Sequence, residues 1–300
     1  MTMAAPSRFL DLKALTALAH MRFATRHRIE GNYSGRHRSR QQGGAGEFVD
    51  FREYTAGEDL RRLDWKVLGR TGRSYLRLYQ DETNLLATLA IDASGSMRFG
   101  ESTRGGSKLE YAQWLAAALS HVISRGQDQV GVAVLTDKLN ELAPPGGSRT
   151  HVARVQELIE QIETHPTVRM AAAVRELFQR TGRRGVLLVI SDFLMEDLDE
   201  VFAALRLFRH RQSEVIVLHL LHPDEERLPE GPAFRFAGLE NEGSVDCSPA
   251  EIRLQYEQRF QAHLAAVRTL ALAGGCDYRR VLTAIPYLQT LGEFLVERAG

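Results

Sequence analysis

The chain has 300 residues, 44% of them hydrophobic and 25% charged, and its 38 basic side chains are balanced by 38 acidic ones. That length can bury a real core and has room for one large domain plus an appendage, or for two small domains. Zero net charge argues against wholesale coating of nucleic acid, two cysteines (Cys247 and Cys276) are too few for a disulfide framework and lack metal-ligand spacing, and no apolar run is long enough to span a bilayer.

The N-terminal stretch MTMAAPSRFLDLKALTALAHMRF has no clean uncharged core, which argues against a secretory signal and for a reduced, cytoplasmic setting. Within it Leu10, Ala14, Leu18 and Met21 share one face and predict an amphipathic helix over Leu10 to Phe23. Charge is uneven here: up to Gly46 the chain carries Arg8, Lys13, Arg22, Arg26, Arg28, Arg36, Arg38 and Arg40 against only Asp11 and Glu30. The segment RHRIEGNYSGRHRSRQQGGAGEF, rich in Gly and Arg, reads as irregular. The arginine-rich stretch Arg22 to Arg40 suits phosphate, but between Arg26 and Arg40 Tyr33 is the one aromatic, and no nucleic-acid fold is recognisable. An acidic protein surface or plain solvation is the expected environment.

Next, REYTAGEDLRRLDWK crowds Arg52, Glu53, Glu58, Asp59, Arg61, Arg62, Asp64 and Lys66 around Tyr54 and Trp65. Two readings stay open: a solvated, mutually paired surface that adds little stability, or a docking surface with aromatic and arginine anchors. Trp65 itself is expected to be a core or interdomain anchor. Asp59 is predicted to cap a short helix through Leu68, with Gly69 ending it, and Ser74 to Tyr79 reads as a strand.

From Asn84 onward strand-like and helix-like runs alternate. Strands are predicted at Leu85–Ile91, Gln129–Leu135, Gly185–Ile190 and Glu214–Leu220, and KLNELAPPGG reads as a short antiparallel strand running into a turn. Helices are predicted at Lys108–Ser124, Val152–Ile162, Met170–Gln179, Leu198–Arg209 and Pro249–Leu272. In the last of these Ile252, Tyr256, Phe260, Leu264 and Val267 form a core-facing stripe, and Gly274 or Gly275 can end it. The tail PYLQTLGEFLVERAG reads as a final helix turning Leu288, Leu291 and Leu295 inward. Short apolar strands between amphipathic helices imply an α/β fold, a doubly wound, mostly parallel sheet with helices on both faces. The expected organisation is an N-terminal extension over residues 1–83 and an α/β domain over residues 84–300.

Ligands of open α/β sheets sit beyond the carboxyl ends of the strands. Two apolar strands end there in acids and hydroxyls: LAIDASGSM supplies Asp92, Ser94 and Ser96, and VLLVISDF supplies Ser191 and Asp192. All these groups offer oxygen, which suits a hard divalent cation such as magnesium. Alternation lets one short loop aim three oxygens at a point, with Gly95 allowing the tight bend. The plainer reading is that Asp92 caps the segment after it and the serines fill turn positions. His219 and His222 follow a strand, but without a third partner in register they read as structural.

The pattern Asp-x-Ser-x-Ser after a first apolar strand resembles the metal-ion-dependent adhesion site of von Willebrand factor A domains. The resemblance implies a metal site of Asp92, Ser94, Ser96, a threonine from a second loop and Asp192. HPTVRMAAAVRELF nominates Thr167 as that threonine, with Val168 where the family usually has aspartate; Thr164 and Thr150 are the runners-up. The implied cofactor is magnesium, or another divalent cation such as calcium or manganese. A second resemblance covers more of the chain. SGRHRSRQQGGAGEFVDFREYTAGEDLRRLDWKVLGRTGRSYLRLYQDE, read on through the metal motif from about Tyr33 to Gly131, is similar to the bacterial domain-of-unknown-function family numbered fifty-eight. Those von Willebrand A-like proteins are typically encoded beside MoxR-type AAA+ ATPases. Many members carry N-terminal membrane helices, which this chain is expected to lack. The resemblance implies an adaptor or partner of such an ATPase in protein remodelling.

Chemistry is the competing expectation. Aspartyl-phosphate phosphatases place a second aspartate two residues after the first, where this chain has Ser94, and the Gly-x-Ser-x-Gly elbow of serine hydrolases is incomplete around it. A Walker-type phosphate loop is missing from the sequence as well. The expectation is a non-enzymatic, metal-dependent module that binds an acidic protein ligand. A metal-dependent hydrolase using Asp92 and Ser94 is the alternative. A third reading leaves all binding to the N-terminal basic and aromatic surface.

Overall fold

A computed structural model describes residues 8–25, 47–55, 60, 63–80, 85–100, 106–166, 169–182, 184–240 and 242–299. The chain divides into two units, one of Met1–His27 with Leu85–Gly300 and the other Arg28–Asn84.

In the first unit the chain opens with a single helical turn, α1 (Leu12–Leu15), capped by the Asp11 carboxylate and continued as a 3₁₀ turn, Thr16–Leu18. The predicted Leu10–Phe23 helix therefore stops early, and its buried anchors are Phe9, Leu15, Leu18 and Phe23. Past Leu18 the segment is held by side chains of the domain instead. Arg125 donates to the Leu18 and Met21 oxygens at 3.0 and 2.7 Å, and Arg298 to the Ala24 oxygen at 2.7 Å. Phe9 meets Trp114 edge-on, which fixes the segment to the domain.

The second unit pairs β1 (Glu47–Glu53) antiparallel with β2 (Tyr75–Gln80), around α2 (Trp65–Thr71). β2 lies one residue beyond the predicted strand, whereas β1 falls partly in sequence read as irregular. The α2 cap is Asp64, whose carboxylate accepts from the Lys66 and Val67 amides. The expected cap, Asp59, lies outside the described residues. Gly69 lies inside the helix, and it is Gly72, at φ +71°, that ends it. Trp65 is not a core anchor: as the first helical residue after the cap it is 62% exposed.

The remaining elements of the first unit are β3 (Leu86–Asp92), α3 (Lys108–Arg125), β4 (Gln129–Leu135), β5 (Leu139–Gly146), α4 (Arg149–Glu160), α5 (Met170–Arg180), β6 (Val186–Ser191), α6 (Leu198–His210), β7 (Glu214–Leu221), α7 (Pro223–Glu226), β8 (Phe234–Ala237), β9 (Ser244–Cys247), α8 (Pro249–Ala273), β10 (Asp277–Leu282) and α9 (Tyr287–Ala299). Six strands form one sheet in the order β10-β7-β6-β3-β4-β5, parallel except for the β4–β5 pair at its edge. Helices α3, α4 and α9 cover one face and α5, α6 and α8 the other. This is the doubly wound α/β architecture expected from the alternation of elements.

Burial on both faces explains the unbroken apolar runs of the central strands. Every residue of β6 and β7 is buried, as is β3 after Leu86. One core cluster joins Leu187, Val189 and Val217 of the sheet to Met170 and Val174 of α5, Phe202 and Leu205 of α6, and Val267 of α8. In α8 the stripe turns inward as expected, with Phe260, Leu264 and Val267 buried, and in α9 Leu291 and Leu295 are buried. The chain runs outward from β3 to β4 on one side and from β6 to β7 and β10 on the other. The switch in direction therefore falls between β3 and β6, and ligands of open α/β sheets sit beyond the strand ends at such a point.

Candidate metal-binding site at the strand ends

Asp92 is the last residue of β3, and Asp192 follows the last residue of β6, so both acids stand at that switch point. Both are fully buried, along with Ser191, and Ser94 and Ser96 are also buried. Asp92 Oδ1 accepts from the Ser94 amide at 2.8 Å, closing the loop back onto the strand, and Oδ2 accepts from the Ser191 hydroxyl at 2.5 Å. Ser191 in turn accepts from the Phe193 amide at 2.8 Å, so one serine aims the Asp92 carboxylate and anchors the turn after β6. That turn is strained, since Phe193 sits at φ +52° with its ring buried against Phe202. Ser94 and Ser96 place their hydroxyl oxygens 2.9 Å apart. The structure thus brings together four of the five site residues expected from sequence.

The fifth, Thr167, lies outside the described residues. Its loop does reach the site: the His165 amide donates to the Ala93 oxygen at 2.7 Å, and His165 bridges to Ser94. Thr150 stands elsewhere. It sits at the start of α4 with its hydroxyl 3.1 Å from Ser148, just after β5 returns to the beginning of β4 at the other end of the sheet.

Three charged groups at the site escaped the sequence reading. Lys108, the first residue of α3, is completely buried; its ammonium donates to Asp192 Oδ2 at 2.6 Å and to Glu225 Oε1. Glu225 belongs to α7, and its other oxygen accepts the His222 amide at 2.7 Å. The third is Glu240, from the loop between β8 and β9, whose Oε1 accepts from the Ser96 amide at 3.1 Å. A lysine at a helix N-terminus opposes the helix dipole, and that was the available sign of Lys108's special role. Glu240 lies in AGLENEGSV, which reads as an ordinary solvated turn, and nothing in the sequence marks it.

The electrostatics divide the two aspartates. Burial, then the nearby Asp192 charge, push the Asp92 carboxyl up to about 7, against the pull of its bonds from Ser191 and Ser94. Burial also works against Asp192, but the Lys108 ammonium holds its carboxyl below the usual range. Lys108 stays charged because Asp192 and Glu225 outweigh the burial of its ammonium. Glu225 shares that lysine yet lies above its ordinary value, because for it burial prevails. Asp192 is therefore the better-neutralised partner. Asp92 has hydrogen bonds and no cation among the described residues.

The histidines act structurally, as expected. His219 is buried, bonds Tyr278 at 2.9 Å through Nδ1, and burial pushes it down to about 4. His222 accepts the Asp224 amide through its ring and caps α7.

A divalent cation can be tested against these groups. Among the described residues no three His, Cys, Asp or Glu side chains form a metal-holding group. A cation here would rest on two carboxylates, hydroxyls and water. The donors fit in kind, because all are oxygen, and in charge, because Asp92 is a buried acid with no counter-ion among the described residues. Asp92, Ser94, Ser96 and Asp192 would hold the ion, with Lys108 limiting how much charge Asp192 offers.

The sequence profile described as protein of unknown function DUF58 matches residues 50–266. An uncharacterized protein of Mycobacterium tuberculosis and another of Mycobacterium bovis are each 27% identical to this chain over 300 aligned positions, covering 96% of it and 90% of the relative. Among solved structures, the conserved hypothetical protein BatB from Bacteroides thetaiotaomicron aligns at 17% identity and TM-score 0.46, covering 71% of this chain and 98% of that one. An aerotolerance-related membrane protein from Bacteroides fragilis aligns at 20% identity and TM-score 0.46 over 70% and 98%. The SpRpn10 VWA domain aligns at 11% identity and TM-score 0.38 over 70% and 95%. Among the described residues no helix is long and apolar enough to cross a membrane.

Proposed function

This chain belongs to the DUF58 family of proteins of unknown function, and from that premise we propose that it is a non-enzymatic, divalent-metal-dependent protein-binding module. The observation that carries the reading is the gathering of Asp92, Ser94, Ser96 and Asp192 at the sheet's switch point, with no cation beside Asp92 among the described residues. A magnesium ion bound there would supply an electrophilic position for an acidic oxygen. The chain's own residues do the rest. Ser191 orients Asp92, Lys108 keeps Asp192 ionised, and the tight Ser94–Ser96 loop sets two hydroxyl oxygens side by side next to the acids. Calcium or manganese would suit the same oxygens.

The partner we assign is an AAA+ ATPase of the MoxR type, presenting an aspartate or glutamate, with this chain as its adaptor in protein remodelling. A partner driven by ATP places the pair in the cytoplasm. Asp92→Ala should abolish magnesium-dependent capture of that ATPase while the far-ultraviolet spectrum stays unchanged; equal capture by the variant would refute the reading. The hydrolase alternative instead predicts magnesium-dependent turnover of a generic phosphate or acyl ester, stopped by Ser94→Ala.

A further inference from the structure

The face of the metal loop is already covered by another part of the same chain. Strands β8 and β9 form a two-stranded hairpin, closed by the Gly238 amide donating to the Gly243 oxygen at 2.7 Å. Its loop lies directly on the Ser94–Ser96 turn. A Cβ added at Gly95 would collide with the Leu239 carbonyl oxygen and stand 2.9 Å from Glu240 Cγ. The Glu240 carboxylate takes the Ser96 amide at 3.1 Å, so it rests on the backbone of the loop that carries Ser94 and Ser96. Glycine at position 95 thus permits two backbones to meet, beyond its part in the bend.

The hairpin is weakly held elsewhere. No residue of either strand is buried, Val245 is 64% exposed, and its one cross-strand ion pair, Arg235 with Asp246, is open to solvent. An isolated two-stranded hairpin is marginal in water, so its seat on the metal loop is a principal tether and is cheap to break.

We propose that Glu240 is an internal stand-in for the partner's acid: the β8–β9 hairpin lays a carboxylate at the metal loop and must be displaced before a partner carboxylate can reach the ion. This rests on the metal reading above. It also narrows the partner chemistry to an acidic side chain carried on a loop slender enough to enter where Leu239 and Glu240 now lie. A charged internal occupant makes the free site self-satisfied, so capture depends on competition between two carboxylates rather than on an open ion.

The test uses the full chain with Mn²⁺ alone as probe, comparing wild type, Asp92→Ala, Glu240→Gln and Gly95→Ala. Mn²⁺ affinity is measured by calorimetry, and hydrogen exchange of the hairpin is followed with the ion and with a chelator. Glu240→Gln is expected to weaken Mn²⁺ about tenfold, the usual loss when a supporting carboxylate is removed. Mn²⁺ should protect the hairpin amides in wild type but not in Glu240→Gln, and Gly95→Ala should leave the hairpin unprotected with or without the ion. Wild-type affinity in Glu240→Gln together with unchanged hairpin protection would overturn the proposal and leave the metal reading standing, provided Asp92→Ala loses Mn²⁺. Absence of Mn²⁺ binding by wild type would overturn both.

Discussion

Replacing Lys108 by methionine keeps all but the last atom of the side chain's length and removes its charge. The ammonium sits 2.6 Å from Asp192 Oδ2 and also bonds Glu225, with both lysine and aspartate fully buried. At an effective dielectric of about 20, a unit pair at that distance attracts by roughly 6 kcal/mol. Desolvation offsets much of this, and the measurable cost of Lys108→Met comes from the carboxylates it strands, about 3–5 kcal/mol. For a chain of this size that is a fall in Tm of roughly 10 °C. Chemical denaturation in a chelator reads the loss directly. Adding Glu225→Gln removes one stranded charge and should restore about 1–3 kcal/mol, because contacting residues couple. Magnesium should also recover part of the loss, since the freed Asp192 gains the ion as partner. A loss below about 1 kcal/mol in chelator, with no coupling to Glu225, would refute the picture of a built-in cation that neutralises the site.

Two groups titrate with opposite sign across the same pH window, so each is read as a difference from its variant. His219, pushed down to about 4 by burial, is neutral in the fold and protonated in the unfolded chain between that value and 6.5. The stability tied to it is present above pH 6.5 and lost as pH falls toward 4, and His219→Gln should flatten that side of the profile by about 3 kcal/mol at most. Asp92, raised from 3.8 to about 7, does the reverse: in chelator its contribution is present below pH 3.8 and lost as pH rises through 7. Relative to wild type, Asp92→Asn should gain on the order of 4 kcal/mol at pH 8 and nothing at pH 3, a gain that saturating magnesium erases. Denaturation series at four pH values check both, and identical profiles for variant and wild type would contradict them. Cys276 is buried with its thiol pushed up to about 11, so in the native protein a maleimide should modify the half-buried Cys247 first, as peptide mass spectrometry would show.

The parallel sheet was legible because burial on both faces leaves an unmistakable trace. LLATLAI, VLLVIS and EVIVLHL are apolar at all but one or two positions, and each falls within a residue of the observed strand. The same trace made the placement of Asp92 and Asp192 legible, since an acid placed directly after such a run must lie at the strand end. Other elements were hidden because their shape comes from distant partners. The N-terminal segment has helical periodicity, but past Leu18 its backbone is held by Arg125 and Arg298, contacts that sequence periodicity does not show. Strands β8 and β9 alternate in character but are four residues each with no buried face, too short a run to mark a strand. In Asp277–Leu282 the run DYRRVL is polar at its centre, yet it forms the edge strand β10, paired on one side only with β7. At the site the oxygens came from local sequence, whereas Lys108, Glu225 and Glu240 arrive from three separate elements and meet only in the fold.

The most direct test of the cation claim is a crystal structure grown with Mn²⁺, with diffraction recorded at the manganese absorption edge. An anomalous peak bounded by Asp92, Ser94, Ser96 and Asp192, lost in Asp92→Ala crystals grown alongside, is the result expected. A well-ordered site with no peak there at saturating Mn²⁺, or a peak that survives the loss of Asp92, would contradict it.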